Sequence, residues 1–152
     1  MSSVSSWKRM RLCLKILFLL AVLPLAKAAG AQSLVVIVNP SIGVQHLTQH
    51  EVRDIFLGRY RSFPSGATAL PIDLAANSAA RKEFYLLIAH KDPSDMSSYW
   101  ARLTFSGEIS PPFAVADART AVNIVASNPN AVAYVYSTAV DNRVRVALVL
   151  TP

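Results

Sequence analysis

Residues 69–88 read ALPIDLAANSAARKEFYLLI, and this stretch decides the fold. Ala69–Leu74 is a short apolar run of strand character, in which Pro71 lacks the N–H that a central strand gives to its ladder. The strand is therefore expected near a sheet edge. Asn77 or Ser78 then caps a helix whose Ala80, Phe84, Leu87 and Ile88 recur at helical spacing as one apolar stripe. A strand that passes through a short loop into a helix start is the building unit of an α/β domain.

The same alternation extends in both directions. Upstream, Leu34–Val38 is an unbroken apolar, β-branched run closed by Asn39-Pro40, the pattern of a buried strand of the parallel-sheet kind. Thr48-Gln49-His50-Glu51 is a capping box, in which hydroxyl and carboxylate each satisfy an orphan backbone N–H, with Leu47 and Val52 placed for a hydrophobic staple. Val52, Ile55 and Phe56 share one face, and Gly58 supplies the stop, so a helix is expected from about Gln49 to Leu57. Downstream, Asp92-Pro93 opens a helix with Met96, Tyr99, Trp100 and Leu103 buried and Gly107 at its end. Pro111-Pro112 is a rigid connector, and Asp117 caps a helix carrying Ala121, Val122, Ile124 and Val125, stopped by Asn128-Pro129-Asn130. Ala131–Tyr136 and Val144–Leu150 are two late strands, with Asp141-Asn142 turning between them. No repeat, low-complexity tract or linker divides this region, so residues 32–152 are expected to form one domain.

The amino terminus has a different character. Lys8, Arg9, Arg11 and Lys15 precede the apolar run Ile16–Leu25, which leads into the small-residue stretch Ala26-Lys27-Ala28-Ala29-Gly30-Ala31. That order is a cleavable secretory signal, with cleavage after Ala28 or Ala31, and a run of ten apolar residues is short of the roughly 20 that span a bilayer. The expected mature protein is periplasmic, with no stable membrane insertion. The only cysteine, Cys13, lies within the signal and away from the small-residue context of a lipid-attachment site. Five of the fifteen basic residues and none of the nine acidic ones precede residue 32, so the whole-chain charge of +6 reports targeting. A near-neutral, cysteine-free domain gives no support for nucleic-acid binding or thiol chemistry.

Few constellations in the domain suit chemistry. His46 and His50 are four apart, but the capping box puts the first outside the helix and the second in its first turn, so they share no face and a metal site is not expected. The aromatics Phe84, Tyr85, Tyr99, Trp100 and Phe105 recur at helical spacing and read as core. Serines lack a nucleophile elbow, and Glu51, Glu83 and Glu108 are scattered, which disfavours an enzyme and leaves no cofactor implied. The loop from Asp73 through Ser78 to Arg81 is the better candidate. A helix amino terminus offers free N–H groups and a positive dipole end to an anion, Ser78 adds a hydroxyl and Arg81 a forked donor.

Read together, LTQHEVRDIFLGRYRSFPSG (residues 47–66), PIDLAANSAARKEFY (71–85), SSYWARLTFSGEISPP (97–112) and NPNAVAYV (128–135) resemble the short, PstS-like substrate-binding proteins of phosphate ABC transporters, in the periplasmic-binding-protein-like superfamily. The resemblance implies an exported, non-enzymatic α/β protein: a single lobe of a type II periplasmic-binding-protein-like fold, with a mixed, mostly parallel sheet flanked by helices. Larger relatives bind phosphate between two lobes through amides and hydroxyls at helix amino termini. This chain is less than half their length. Of their Ser-Gly-Thr triplet only Ser78 matches, with Ala79 and Ala80 in the other places.

The resulting expectation is an oxyanion site, for phosphate or a similar anion, with Ser78 and Arg81 as donors and Asn39 and Ser41 opposite them. Asp73 orients the loop or accepts from a protonated oxyanion. An inner-membrane permease or a membrane sensor is the implied partner. The alternative is a ligand-free interaction module that joins an envelope complex or another copy of itself.

Overall fold

A computed structural model describes residues 32–107 and 109–151. The signal-like segment, Cys13 and Glu108 lie outside the described residues.

The local signals place the elements. β1 is Leu34–Val38, followed by a 3-10 turn at Pro40–Ile42. α1 spans Gln49–Phe56 with both arms of the capping box formed: Thr48 Oγ1 accepts from the Glu51 N–H, and the Glu51 carboxylate accepts from the Thr48 N–H at 2.7 Å. β2 (Leu70–Leu74) leads into α2 (Ala79–Ala89), and of the two candidate caps Ser78 is the one used. α3 (Pro93–Phe105) is capped by Asp92, β3 is Phe113–Val115, and α4 (Ala118–Ser127) is capped by Asp117. β4 (Ala131–Tyr136) and β5 (Arg145–Leu150) close the sheet. Three-residue β3 was not expected: it follows directly on Pro111-Pro112, and only Val115 of its residues is buried, so it carries neither length nor alternation.

The five strands are ordered β3-β2-β4-β1-β5. β2 runs parallel to both β3 and β4, whereas β1 is antiparallel to β4 and β5. Four strands therefore point one way and β1 opposes them. The fold is mixed α/β with a mostly parallel strand direction, but β1 itself is not a parallel strand. Its unbroken apolar run reports cover on both faces: every residue of β1 and residues Ala131–Val135 of β4 are buried. Burial on two faces does not encode direction.

Pro71 is likewise explained by its local neighbours. β2 is an interior strand, and the Leu70 N–H donates towards β4, to Asn130 O. Alternation turns the Pro71 nitrogen the other way, ahead of the point where β3 begins pairing at Ile72–Phe113. The missing N–H thus falls where no ladder partner is present.

Helices and sheet are joined by aromatic packing. The Phe84 ring of α2 stacks on Tyr134 of β4 at 3.7 Å between centroids, and Phe56 of α1 meets the two edge-on at 4.8 and 5.6 Å. Such pairs contribute roughly 0.5–1.5 kcal/mol each beyond their buried area. Met96 and Trp100 of α3 are buried as expected, Tyr99 and Leu103 half-buried. Phe105, expected in the core, is 96% exposed at the last turn of α3.

Candidate anion site

β2 and α2 meet at a buried carboxylate. Asp73 lies on β2 among Ile72 and Leu74, where an unpaired charge would be costly, and every acceptor direction of its side chain is used. Oδ1 accepts from the Leu74 N–H at 2.8 Å and from the Tyr134 hydroxyl. Oδ2 accepts from Arg81 Nε at 2.9 Å and from the Tyr85 hydroxyl at 3.1 Å. Asp73 therefore holds the amide of Leu74, the last residue of β2, and also Arg81. With four donors in place it has no free lone pair directed at a ligand.

The electrostatics follow from that geometry. Burial pushes the Tyr85 and Tyr134 hydroxyls well above the usual tyrosine range, and the Asp73 charge pushes them further. Burial acts to lower the Arg81 pKa, but the adjacent Asp73 carboxylate outweighs it and leaves the guanidinium more firmly protonated. The Arg81 guanidinium also lies 5.1 Å from the Tyr85 ring centroid, a cation–π contact. Arg81 is an arginine with its Nε committed, its side chain only 14% exposed, and both Nη groups without a protein acceptor among the described residues.

Around it, the start of α2 supplies further donors. Ser78 Oγ accepts from the Arg81 N–H at 3.4 Å, which leaves its own hydroxyl proton free. The Ala79 and Ala80 N–H groups precede the first intrahelical bond, made by Lys82 N to Ser78 O, and have no acceptor among the described residues. Ser78, Arg81 and the free amides thus share the first turn of α2, with Asp73 holding the Arg81 side chain.

Asn39 and Ser41 do not join this group. Because β1 opposes β2 and β4, Val38 pairs with Val132 near the start of β4, whereas Asp73 is level with Tyr134 near its end. Asn39 therefore sits about 10 Å further down the sheet, at its other end. It is also fully occupied: Nδ2 donates to Val125 O and Ala126 O at 2.9 Å each, and Oδ1 accepts from Ser41 N at 2.9 Å and Ser41 Oγ at 2.6 Å. The pair clamps the end of β1 to the last turn of α4. Placing it opposite Ser78 required β1 to be parallel, which it is not.

The histidines are separated as expected. His46 is exposed in the loop before α1, and His50 Nδ1 lies 3.3 Å from Asp54 Oδ2. Tyr85 and Tyr134 are the partners of Asp73 that sequence reading missed, since Tyr85 read as a core aromatic and Tyr134 as part of a buried strand. The available signal was an aspartate inside an apolar strand, which needs buried donors, and buried tyrosines are common ones.

Ser78 and Arg81 line none of four clefts among the described residues. The largest apolar one, about 340 Å³, lies beside β2 and β3 between Tyr60, Leu70, Trp100 and Phe113.

No protein-family model matches the chain, and no curated protein matches it. Solved structures do. A Clostridium perfringens protein described as a phosphate ABC transporter substrate-binding protein, solved with bound phosphate, superposes with a TM-score of 0.60 at 18% identity, covering 76% of this chain and 44% of that one. An ABC-type phosphate transport receptor from Vibrio cholerae gives 0.60 at 18% identity over 75% and 44%, and PstS from Borrelia burgdorferi gives 0.55 at 11% over 78% and 46%. The chain has a PstS-like, periplasmic-binding-protein-like fold and spans less than half the length of each of these proteins.

Proposed function

We propose that this chain is an exported, non-enzymatic solute-binding-like protein that takes phosphate or a related oxyanion at the start of α2. The observation that carries the reading is Arg81: its Nε is held by buried Asp73, its guanidinium lies over Tyr85, and its two Nη groups have no protein acceptor among the described residues, on the same first turn of α2 that carries the Ser78 hydroxyl and free backbone N–H groups. A tetrahedral oxyanion accepts from such donors without further reorganisation of the protein. The likeness in fold to proteins named for phosphate transport supports the same chemistry.

Affinity is expected to be modest. Asn39 and Ser41 contribute nothing, and alanine replaces a second hydroxyl at Ala80. Dissociation constants near 1 mM correspond to about 4 kcal/mol, which a few charge-assisted hydrogen bonds supply. Isothermal titration of the purified protein with phosphate and with sulfate tests the reading. Saturable heat that is lost in Ser78→Ala/Arg81→Ala supports it, and no heat at 10 mM anion overturns it.

Export belongs to the same proposal. Residues 1–31 act as the signal, and the exported product delivers its anion to an inner-membrane permease or a membrane sensor. Intact mass of the protein from the periplasmic fraction should show loss of residues 1–28 or 1–31, and a full-length mass there would contradict export by cleavage.

One observation favours a second reading, that of an interaction module. Tyr60 and Phe113 are 61% and 64% exposed at the rim of the apolar cleft beside β3, a cost in water that a partner protein would remove. If the Ser78→Ala/Arg81→Ala protein keeps the cellular phenotype while Phe113→Ser abolishes it, this reading replaces the first.

A further inference from the structure

α1, along its length from Gln49 to its cap Leu57, and the carboxyl end of α2 flank a polar cleft of about 390 Å³ that the anion site does not include. Along α2 it lies about 16 Å from Ser78, at 1.5 Å per residue. His50, Arg53, Arg59, His90 and Lys91 line it, and no carboxylate does. Just beneath, Asp54 is buried and gathers three of them: Arg53 Nε at 3.1 Å and Arg59 Nη1 at 3.3 Å on Oδ1, with His50 Nδ1 at 3.3 Å on Oδ2.

The bland explanation is that these cations only neutralise Asp54 and the two helix ends. Each helix carboxyl end carries about half a negative charge, so the two ends and Asp54 together present about −2, and the amino end of α1 at Gln49 offsets about half a charge of that. Arg53, Arg59 and Lys91 present three positive charges even with both histidines neutral. Positive charge is left over, and it is positioned. The His90 and Lys91 N–H groups cap α2 by donating to Leu86 O and Tyr85 O, which fixes the backbone that carries both side chains. His90 holds a left-handed conformation, φ 52°, where glycine is the usual occupant. Lys91 Nζ lies 5.8 Å from the Tyr99 ring centroid and has no carboxylate partner among the described residues. Arg53 and Arg59 each commit a single nitrogen to Asp54, leaving fork edges free for an external acceptor.

We propose that this cleft is a second, separate binding site for a small polyanion carrying two or more oxyanion groups, such as a diphosphate or a tricarboxylate. The volume is in the range of small-molecule sites. Cations on two helices, with guanidinium forks on α1 and its following loop and an ammonium beyond α2, match several oxyanion groups better than one.

The test is isothermal titration of the protein with pyrophosphate and with citrate, beside single-group acetate. Each polyanion is expected to bind one-to-one at this cleft, at least tenfold tighter than acetate and weakening with added salt, any weaker second event belonging to the start of α2. Lys91→Ala and Arg59→Gln should each weaken it about five- to tenfold. Ser78→Ala/Arg81→Ala, and Arg143→Gln as a control for overall charge, should leave it within twofold. Absence of heat at 10 mM polyanion overturns the proposal. So does loss of binding in the Ser78/Arg81 variant with Lys91→Ala unaffected, or equal weakening by Arg143→Gln. Lys91 is at the surface with no structural hydrogen bond from its side chain, so its variant decides the matter if Arg59→Gln unfolds.

Discussion

The Arg81 guanidinium donates from Nε to Oδ2 of Asp73 across 2.9 Å, joining the end of a strand to the first turn of the helix that follows it. One ion pair therefore fixes both the β2–α2 angle and the direction of the remaining guanidinium nitrogens. Stability and anion binding depend on the same contact.

Replacing Asp73 separates the two roles. Asp73→Ala leaves a largely buried guanidinium and two buried tyrosine hydroxyls without their acceptor. Breaking a buried pair from one side costs about 3–5 kcal/mol. Urea unfolding should show a loss of this size, whereas Ser78→Ala, which removes one cap, should cost about 1 kcal/mol. Equal small losses in both variants would contradict the buried network.

Alkaline pH should weaken the fold through the same network. Tyr85 and Tyr134 are pushed above the ordinary value of 10.0, first by burial and then by the Asp73 charge, so folding favours their protonated forms. Their contribution is complete below pH 10 and is lost as pH rises above it, because the unfolded chain releases protons that the folded chain retains. Each such proton steepens the loss by about 1.4 kcal/mol per pH unit. Denaturation between pH 8 and 11 should show this slope, and Tyr85→Phe/Tyr134→Phe should flatten it. An unchanged slope in the double variant would exclude the tyrosines as its source.

Asn39 is expected to matter for stability alone. Asn39→Ala removes two donations to the end of α4 and two acceptances from Ser41, a loss of about 2–3 kcal/mol. Thermal unfolding should show the loss while phosphate titration stays within twofold of the parent. A selective effect on anion binding would put Asn39 back in the site.

Gly58 carries the turn that leaves α1. Its φ is 72°, and an added Cβ would come within 2.6 Å of Ile109 Cδ1. Gly58→Ala should cost about 1–2 kcal/mol from the left-handed backbone alone. Ile109→Ala in the same chain should relieve only the steric part, so a double variant restored to parental stability would contradict backbone strain as the main cost.

What the sequence made legible was local. The Thr48, Ser78, Asp92 and Asp117 caps are set by residues within one helical turn of each other, and all four form. The direction of β1 is set by partners about a hundred residues away, in β4 and β5, so its apolar run revealed burial and nothing of orientation. That error carried Asn39 and Ser41 to the wrong end of the sheet. Phe105 was misplaced for a related reason, since helical spacing defines a face but not how far the neighbouring core extends beneath its last turn. Within the site, Asp73, Ser78 and Arg81 were legible because strand end, cap and first turn are contiguous. Tyr85 and Tyr134 were not, because a hydroxyl at the edge of an apolar stripe looks the same whether or not a carboxylate waits behind it.

The central claim is that the first turn of α2, with Arg81, receives an oxyanion. A ¹H–¹⁵N NMR titration with inorganic phosphate tests it residue by residue. The prediction is saturable shifts centred on the Ser78, Ala79 and Ala80 amides and on Arg81 Nε, with Asn39 and Ser41 unmoved and the response gone in Arg81→Ala. Shifts absent at 10 mM phosphate, or centred away from the start of α2, would contradict it.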